Sequence, residues 1–227
     1  MSQKARIPYA FGESLPVNEV SPGTILFVAG PSLSRAEDLA LSLVLGGADA
    51  EEGMLFITTN DSSKNLLERC ERLSPGFDDG AVGVVDCSDS RGRDTVFGAR
   101  IESVSTPNDL TGIGIKLSTL YSDLHDETGG RVRTAFVNVS TLLMYTDLRT
   151  LFRFLHTISG RIDATDGIGV FAIDPGTHDE KSTNTLTQLC DGRIDVREPE
   201  VNDADGDLRV RGLSNQPREW TPFRLGE

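Results

Sequence analysis

Short apolar runs alternate with segments of helical periodicity along most of the chain, a pattern typical of parallel βαβ construction. Strands are predicted where apolar residues stand together, and helices where they recur every three or four positions. The predicted strands are 24–30, 53–60, 81–88, 131–141, 168–174, 192–198 and 208–213. The predicted helices are 35–48, 62–73, 110–127, 146–163 and 181–190.

Turn residues punctuate this pattern. The pair Gly46-Gly47 ends the first helix, and Pro175-Gly176 follows the fifth strand. The turn-rich stretch 201–208 joins the last two strands as an antiparallel hairpin, and 220–227 is a candidate further edge strand. The stretch 89–108 is predicted to be a long loop. We expect one domain over residues 1–227, with 1–14 as a flexible N-terminal segment.

Charge narrows the range of functions. The formal net charge is −13, and arginine supplies 18 of the 22 basic residues because lysine occurs at only four positions. Such a balance is expected of a halophilic protein, since concentrated salt reduces the screening length to ~3 Å; an ordinary acidic mesophilic protein is the alternative. A broad nucleic-acid-binding face is not expected, because it needs clustered basic residues.

No targeting or metal signal is visible. No apolar run approaches the ~20 residues of a membrane-spanning helix, and the start lacks a signal-peptide core, so we expect a cytoplasmic protein without membrane contact. The three cysteines and three histidines fit no metal-ligand spacing. We therefore predict reduced thiols and no metal site. The residues Cys70, Cys87 and Cys190 are these cysteines.

The order of the segments resembles the KaiC-like group of RecA-like ATPases. The resemblance covers roughly 15–227 and rests on "VSPGTILFVAGP", "TAFVNVSTLL", "GIGVFAI" and the closing "GRIDVRE…LRVRGLSNQ". It implies an α/β fold of the RecA type, a three-layer αβα sandwich whose central sheet is mostly parallel and ends in a C-terminal antiparallel hairpin. It also implies an archaeal origin, together with the halophilic composition.

The phosphate loop departs from the family pattern GxxxxGK[ST]. Aligned at Gly30, Arg35 replaces the second glycine, Ala36 the lysine and Glu37 the Ser/Thr. Leu33 also stands where the group usually has glycine. We therefore interpret the loop as a structural turn that opens a helix. Its residues are Gly30, Pro31, Ser32, Leu33, Ser34, Arg35, Ala36 and Glu37.

Two further positions of the nucleotide site of KaiC-like ATPases are altered in this sequence. Asn138 stands where the Walker B aspartate should end the fourth strand. Thr58 and Thr59 stand where the catalytic glutamate follows the second strand, and Asp61 is an imperfect substitute. Phosphoryl transfer depends on positioning and charge neutralisation, so the joint loss predicts a pseudo-ATPase without catalytic residues.

One sequence element of the KaiC-like group is retained, in the closing hairpin. Arg209 and Arg211 match an element that, in assembled KaiC-like proteins, reaches a nucleotide on the neighbouring subunit. Two interpretations stay open: a solvated pair on an edge strand, with Val210 on the other face, or a contact with an adjoining subunit.

Three functions follow from these observations. The first is a catalytically inactive regulatory or scaffolding domain in signal transduction, without cofactor, that contacts an active KaiC-like paralogue or itself. The second is an ATP-binding switch or weak ATPase, in which Arg35 and Glu37 would serve ATP and Mg²⁺. The third, a recombinase-like protein, lacks a basic path for DNA. A hydrolase is not indicated, because no GxSxG elbow occurs. Four aspartates are interpreted as solvated acidic surface: Asp163, Asp166, Asp174 and Asp179.

Overall fold

A computed structural model describes residues 7–48, 51–77, 81–88 and 98–226. One nine-stranded sheet forms its centre. The strands are β1 (Ile25–Ala29), β2 (Gly53–Thr58), β3 (Val82–Asp86), β4 (Arg100–Ser103), β5 (Val132–Phe136), β6 (Ile168–Ile173), β7 (Gly192–Arg197), β8 (Gly206–Arg211) and β9 (Thr221–Phe223). The helices are α1 (Ala36–Leu45), α2 (Ser63–Leu73), α3 (Leu110–Glu127), α4 (Val139–Tyr145), α5 (Leu148–Ala164) and α6 (Glu180–Thr187).

The sheet order is β4-β3-β2-β5-β6-β1-β7-β8-β9. Every neighbouring pair from β4 to β7 is parallel, whereas β7, β8 and β9 are joined by antiparallel pairing. Strands β1, β2, β3, β5 and β6 are buried throughout, as expected of parallel strands covered on both faces. The predicted fold class, including the C-terminal antiparallel hairpin, is confirmed.

Helices cover both faces of the sheet. Residues of α1 and α2 pack with one face in a first core, which includes Leu26, Val28 and Phe56. Residues of α3, α4, α5 and α6 pack with the other face in a second core, which includes Phe27, Phe136 and Phe171. The three layers place the carboxyl ends of the parallel strands, and the loops that follow them, along one edge of the domain.

Two segments differ in the type of element from the sequence prediction. The stretch 89–108 contains the short edge strand β4, which pairs in parallel with β3; residues 89–97 lie outside the described residues. The predicted strand 131–141 ends at Phe136, and Val139–Tyr145 forms a helix instead. Asn138 ends the extended segment because its side-chain oxygen accepts the N–H of Thr141, which caps that helix.

The segment 1–14, expected to be flexible, contains packed residues. Tyr9 and Phe11 are buried, and Tyr9 exchanges two backbone hydrogen bonds with Val20. The Tyr9 hydroxyl donates to the carbonyl of Asp166 at 3.0 Å. Residues 7–11 are therefore held against the domain, whereas residues 1–6 of this segment lie outside the described residues.

A buried ion pair holds this segment and the end of α1 together. Arg133, on the central strand β5, is 1% exposed and pairs with Glu52, which is 3% exposed. The guanidinium of Arg133 also donates to the carbonyl oxygens of Ala10 at 2.9 Å and Gly46 at 3.2 Å. Arg131 donates to the other oxygen of Glu52 at 2.7 Å. Both charges of the pair are thus compensated inside the core.

The cysteines are free thiols in this structure. Cys70 and Cys87 are buried and Cys190 is half-buried. Burial raises the pKa of each thiol to about 12, so none is a ready nucleophile at neutral pH. None of the helices in the described part of the chain combines the length and apolar character needed to cross a bilayer.

Candidate functional site

The altered phosphate loop, the Walker B position and the position of the catalytic glutamate lie together at the carboxyl edge of the sheet, as the resemblance implies. The loop after β1 lies beside the ends of β6 and β7, and Thr58, Thr59 and Asn138 follow the neighbouring strands β2 and β5. The Thr59 hydroxyl donates to the carbonyl of Asn138 at 2.9 Å, which ties these two ends together.

The loop from Gly30 to Arg35 is closed on itself. The N–H and the hydroxyl of Ser34 both donate to the carbonyl of Pro31, at 2.8 and 2.7 Å. Gly30 is buried, and a Cβ added to it would stand 2.9 Å from the Cβ atoms of Ala36 and Val196 and also against the Ser34 hydroxyl. The glycine at the head of the loop is therefore required by packing within this chain.

Arg35 occupies a backbone conformation that favours glycine. It is the N-cap of α1 with φ of 60° and ψ of 18°, in the left-handed region, and it makes no side-chain capping hydrogen bond. Its guanidinium pairs with Asp38 at 2.7 Å. The position aligned with the second glycine of a phosphate loop thus keeps the glycine-like dihedral angles without the glycine.

A carboxylate of the chain itself engages the loop backbone. Asp174, which follows β6, accepts the N–H of Ser32 at 3.1 Å and also pairs with the Ser32 hydroxyl. Its other oxygen accepts the N–H of Gly176 at 2.8 Å. Leu33, which follows Ser32 in the loop, is 82% exposed. A backbone N–H that could face a phosphate is therefore bonded to an aspartate.

Glu37 connects the loop to the Walker B position. Its carboxylate accepts the side-chain amide of Asn138 at 2.7 Å, and Arg69 of α2 donates to its other oxygen at 3.2 Å. The amide orientation of Asn138 is set by the Thr141 N–H, which its oxygen accepts at 3.1 Å. A continuous series of hydrogen bonds therefore joins the positions that, by the resemblance to KaiC-like ATPases, would hold the metal.

Arg69 is the charge centre of this cluster. It pairs with Asp38 and with Glu37, and its Nη1 lies 3.5 Å from the carboxylate of Asp61. Burial disfavours its charged form, but the contacts with Asp38 and Glu37 outweigh burial and raise the pKa of Arg69. Its charge is thus already matched by acids of the chain.

Asp61 is not placed as a free base. Besides the contact with Arg69, its backbone N–H donates to the Thr58 hydroxyl at 3.2 Å, and that hydroxyl donates to the Asp61 carbonyl at 2.9 Å. In the described part of the chain, no group of three His, Cys, Asp or Glu residues is arranged to hold a metal ion. The charged side chains of the site are therefore largely bonded to one another.

Comparison with known proteins defines the family. A model of a protein family of unknown function, DUF7504, matches residues 23–196. The chain belongs to this family. No curated protein sequence matches it. The fold of this DUF7504 member is similar to that of a KaiC-like protein from the hyperthermophilic archaeon Pyrococcus horikoshii OT3, with a TM-score of 0.64. That alignment covers 97% of this chain and 98% of the other at 10% identity, which supports a RecA/KaiC-like fold.

The hairpin arginines of the DUF7504 chain lie over a shared aspartate. Arg209 and Arg211 of β8 pair with Asp195 of β7 at 3.2 and 2.5 Å, and Arg193 pairs with its other oxygen at 2.7 Å. Val210 is 1% exposed on the opposite face, as the alternation predicts. Three arginines around one aspartate leave a local positive excess on a strongly acidic chain. Arg209 also stacks on Trp220, 4.5 Å from the ring centroid.

Asp86 stabilises the same edge of the sheet through buried hydrogen bonds. It is 2% exposed and accepts the N–H of Ser63 at 2.7 Å and the N–H of Ser88 at 3.0 Å. Burial alone would raise its pKa, but these hydrogen bonds outweigh burial and lower it below the ordinary 3.8. The charged form therefore stabilises the fold above that value, and the contribution is lost as pH falls through the lower pKa.

Asp86→Asn is expected to lower the free energy of unfolding by about 1–3 kcal/mol at neutral pH, because an amide cannot accept from both backbone donors without placing its own N–H against one. Urea denaturation at pH 7 and near pH 3 measures the difference from wild type, which should shrink at the lower pH. The exposed Asp126→Asn is the control, since its side chain is 87% exposed. A difference that is equal at both pH values would contradict this assignment.

Several contacts of the site were not foreseen from the sequence. Asp174, expected to lie on a solvated acidic surface, is half-buried, and its carboxylate also bonds the loop. Arg69 and Asp195 belong to no motif that the sequence shows. One signal could have identified Asp174: it directly follows β6, and RecA-type strand order places β6 beside β1.

Proposed function

We propose that this DUF7504 domain is a catalytically inactive KaiC-like domain that regulates or scaffolds other proteins through protein–protein contacts, in signal transduction. The observation that supports it best is the bonding of Glu37 to Asn138 and Arg69, because Glu37 and Asn138 stand where KaiC-like ATPases would hold the metal and are bonded to side chains of the chain itself. The acidic composition further fits a halophilic archaeal protein that works in concentrated salt.

Electrostatics favour this proposal over nucleotide binding. Around the loop, Arg35 and Arg69 face the carboxylates of Glu37, Asp38 and Asp61, and Asp174 holds the loop backbone. A triphosphate carries several negative charges and would have to displace these acids or approach them as like charges. The alternative is an ATP-binding switch with an unorthodox loop. It would require Arg35 to break its ion pair with Asp38. It would also require Glu37 to release the Asn138 amide and bind a metal ion instead.

Titration calorimetry with Mg-ATP and Mg-ADP in high KCl tests the proposal. We expect no saturable heat up to millimolar nucleotide, because the loop offers neither the lysine nor an unoccupied metal ligand. A dissociation constant in the micromolar range would overturn the inactive role and support the switch.

Arg209 and Arg211 are the proposed contact with an active KaiC-like paralogue or with a second copy. The positive excess around Asp195 supports this, because it is available to a partner's carboxylate or phosphate. In a second arm of the same test, the protein mixed with a candidate KaiC-like partner should raise that partner's ATPase rate, and Arg209→Ala should reduce the effect. An unchanged rate with the wild type would count against this contact.

A further inference from the structure

A groove on the helical face opposite α1 and α2 is separate from the site described above. It has a volume of about 760 Å³ and lies between α3 and α5. The two helices run in the same direction, since Gly114 lies beside Phe154 and Ser118 beside Arg161. The lining spans residues 110–119 of α3 and 150–161 of α5, which corresponds to about three helical turns.

The floor of the groove is apolar and open. Ile115 is 60% exposed, and the ring of Phe154 is half-buried at the point where α3 carries Gly114. A Cβ at position 114 would meet only the Phe154 ring, at 3.7 Å. The absence of a side chain there leaves room for another backbone to approach closely. Leu110, Ile115 and Phe154 line the same groove, so the exposed isoleucine is part of an apolar lining and not a single scattered side chain.

The charged residues that line the groove are all positive. They are Arg153 and Arg161, and no acidic residue lines it, although the chain carries a net charge of −13. Arg153 makes no ion pair within the part of the chain that the structure describes. Arg161 donates to Ser122 at 2.7 Å, while its buried Nε has no hydrogen-bond partner among the described residues. The groove therefore has unmatched positive charge above an apolar floor.

The aspartates at the start of the two helices do not line the groove. Asp109 accepts the N–H of Gly112 at 2.8 Å, and Asp147 accepts the N–H of Thr150 at 3.0 Å. Both are N-caps bonded to the backbone. A partner with acidic side chains is thus complementary to the groove.

We infer that the α3/α5 groove is a docking site for an amphipathic helix of a partner protein, whose apolar stripe covers Ile115 and Phe154 and whose flanking acidic side chains pair with Arg153 and Arg161. Helix-in-groove recognition uses apolar residues three and four positions apart, which matches a groove of this length. The inference rests on the proposed protein-contact role and adds the surface and the chemistry of the partner.

Two other occupants fit the groove less well. Two-fold pairing of this chain through the groove would place Arg153 and Arg161 close to the same residues of the second copy, which like charges disfavour. An anionic membrane surface would be repelled by the overall charge of −13, and a concave groove suits a helix better than a flat bilayer.

The test uses the full chain and two designed helical peptides of about 16 residues. Both carry the same leucine stripe, flanked by glutamates in one and by lysines in the other, and binding is followed by fluorescence anisotropy in high KCl and at lower salt. We expect the glutamate peptide to bind at least about tenfold more tightly than the lysine peptide. Arg153→Glu should reverse this preference, and Ile115→Asp should weaken the glutamate peptide by about tenfold or more.

Val201→Asp is the matched control, because Val201 is 56% exposed and lies outside the groove; its binding should equal that of wild type. Circular dichroism verifies that each variant is folded. Equal affinity for both peptides, no binding of the glutamate peptide, or indifference to Ile115→Asp would overturn the inference. Binding to anionic vesicles that Ile115→Asp abolishes would assign the groove to a membrane instead. A protein that binds the glutamate peptide and also binds Mg-ATP would contradict the inactive role alone.

Discussion

Arg133→Met is expected to lower the free energy of unfolding by about 3–5 kcal/mol. The substitution removes the partner of Glu52, which is 3% exposed, and so leaves a buried carboxylate with Arg131 as its remaining partner. It also removes the donor from the carbonyl oxygens of Ala10 and Gly46, which lie on the N-terminal segment and just beyond α1. Desolvated acceptors without donors add to the loss.

Chemical denaturation at neutral pH measures this loss. The double variant Glu52→Gln/Arg133→Met should lose less than the sum of the single variants, because it leaves no buried unpaired charge. Arg100→Ala is the control, since its ion pair with Glu127 joins side chains that are 37% and 47% exposed and is expected to contribute at most about 1 kcal/mol. A loss below about 1 kcal/mol for Arg133→Met would show that this pair does not hold the segment.

Gly30→Ala is expected to destabilise the domain by about 1–3 kcal/mol, because the loop leaves no room for a methyl group. The added Cβ would meet Ala36 and Val196 at 2.9 Å, and both are fixed by the backbone of α1 and β7. Thermal or urea unfolding detects the loss. The effect should be independent of added nucleotide, since we attribute the glycine to packing.

Gly160→Ala provides a matched comparison for the same chemical change. Gly160 lies inside α5 and is exposed, and a Cβ there would have nothing within 4 Å. Alanine should therefore stabilise the helix by about 0.5–1 kcal/mol. Opposite signs at the two positions would separate packing at the loop from the general effect of alanine. A neutral Gly30→Ala would mean that the loop can open.

Most of the fold could be predicted from the sequence because its parallel strands are buried on both faces and stand as continuous apolar runs. The run Ile25–Ala29 is an example, with every residue buried. Strand β4 was missed because Arg100–Ser103 is short, lies at the sheet edge and has only partly buried or exposed residues. With Ile101 as its one apolar residue, this segment has neither an apolar run nor an alternation that would indicate a strand.

The sequence predicts where the site lies in the fold, but it does not predict which of its side chains bond to one another. Losses at Glu37 and Asn138 could be located because a motif defines which residues belong there. That these two side chains bond one another over a separation of 101 residues could not be deduced from either alone. Arg133 was missed for a related reason: an arginine in a strand gives no sign of being buried until its partner, here Glu52, is known.

The backbone at Arg35 has a consequence for rebuilding the loop. Because φ there is already 60°, a glycine placed at this position would need no new path of the main chain. An obstacle to recovering a phosphate cradle is therefore the bonding of Asp174 and Glu37 in the loop and not the backbone conformation of residue 35. A redesign that grafts only the glycine, lysine and threonine would leave these two carboxylates in place, so the acids must be exchanged together with the motif.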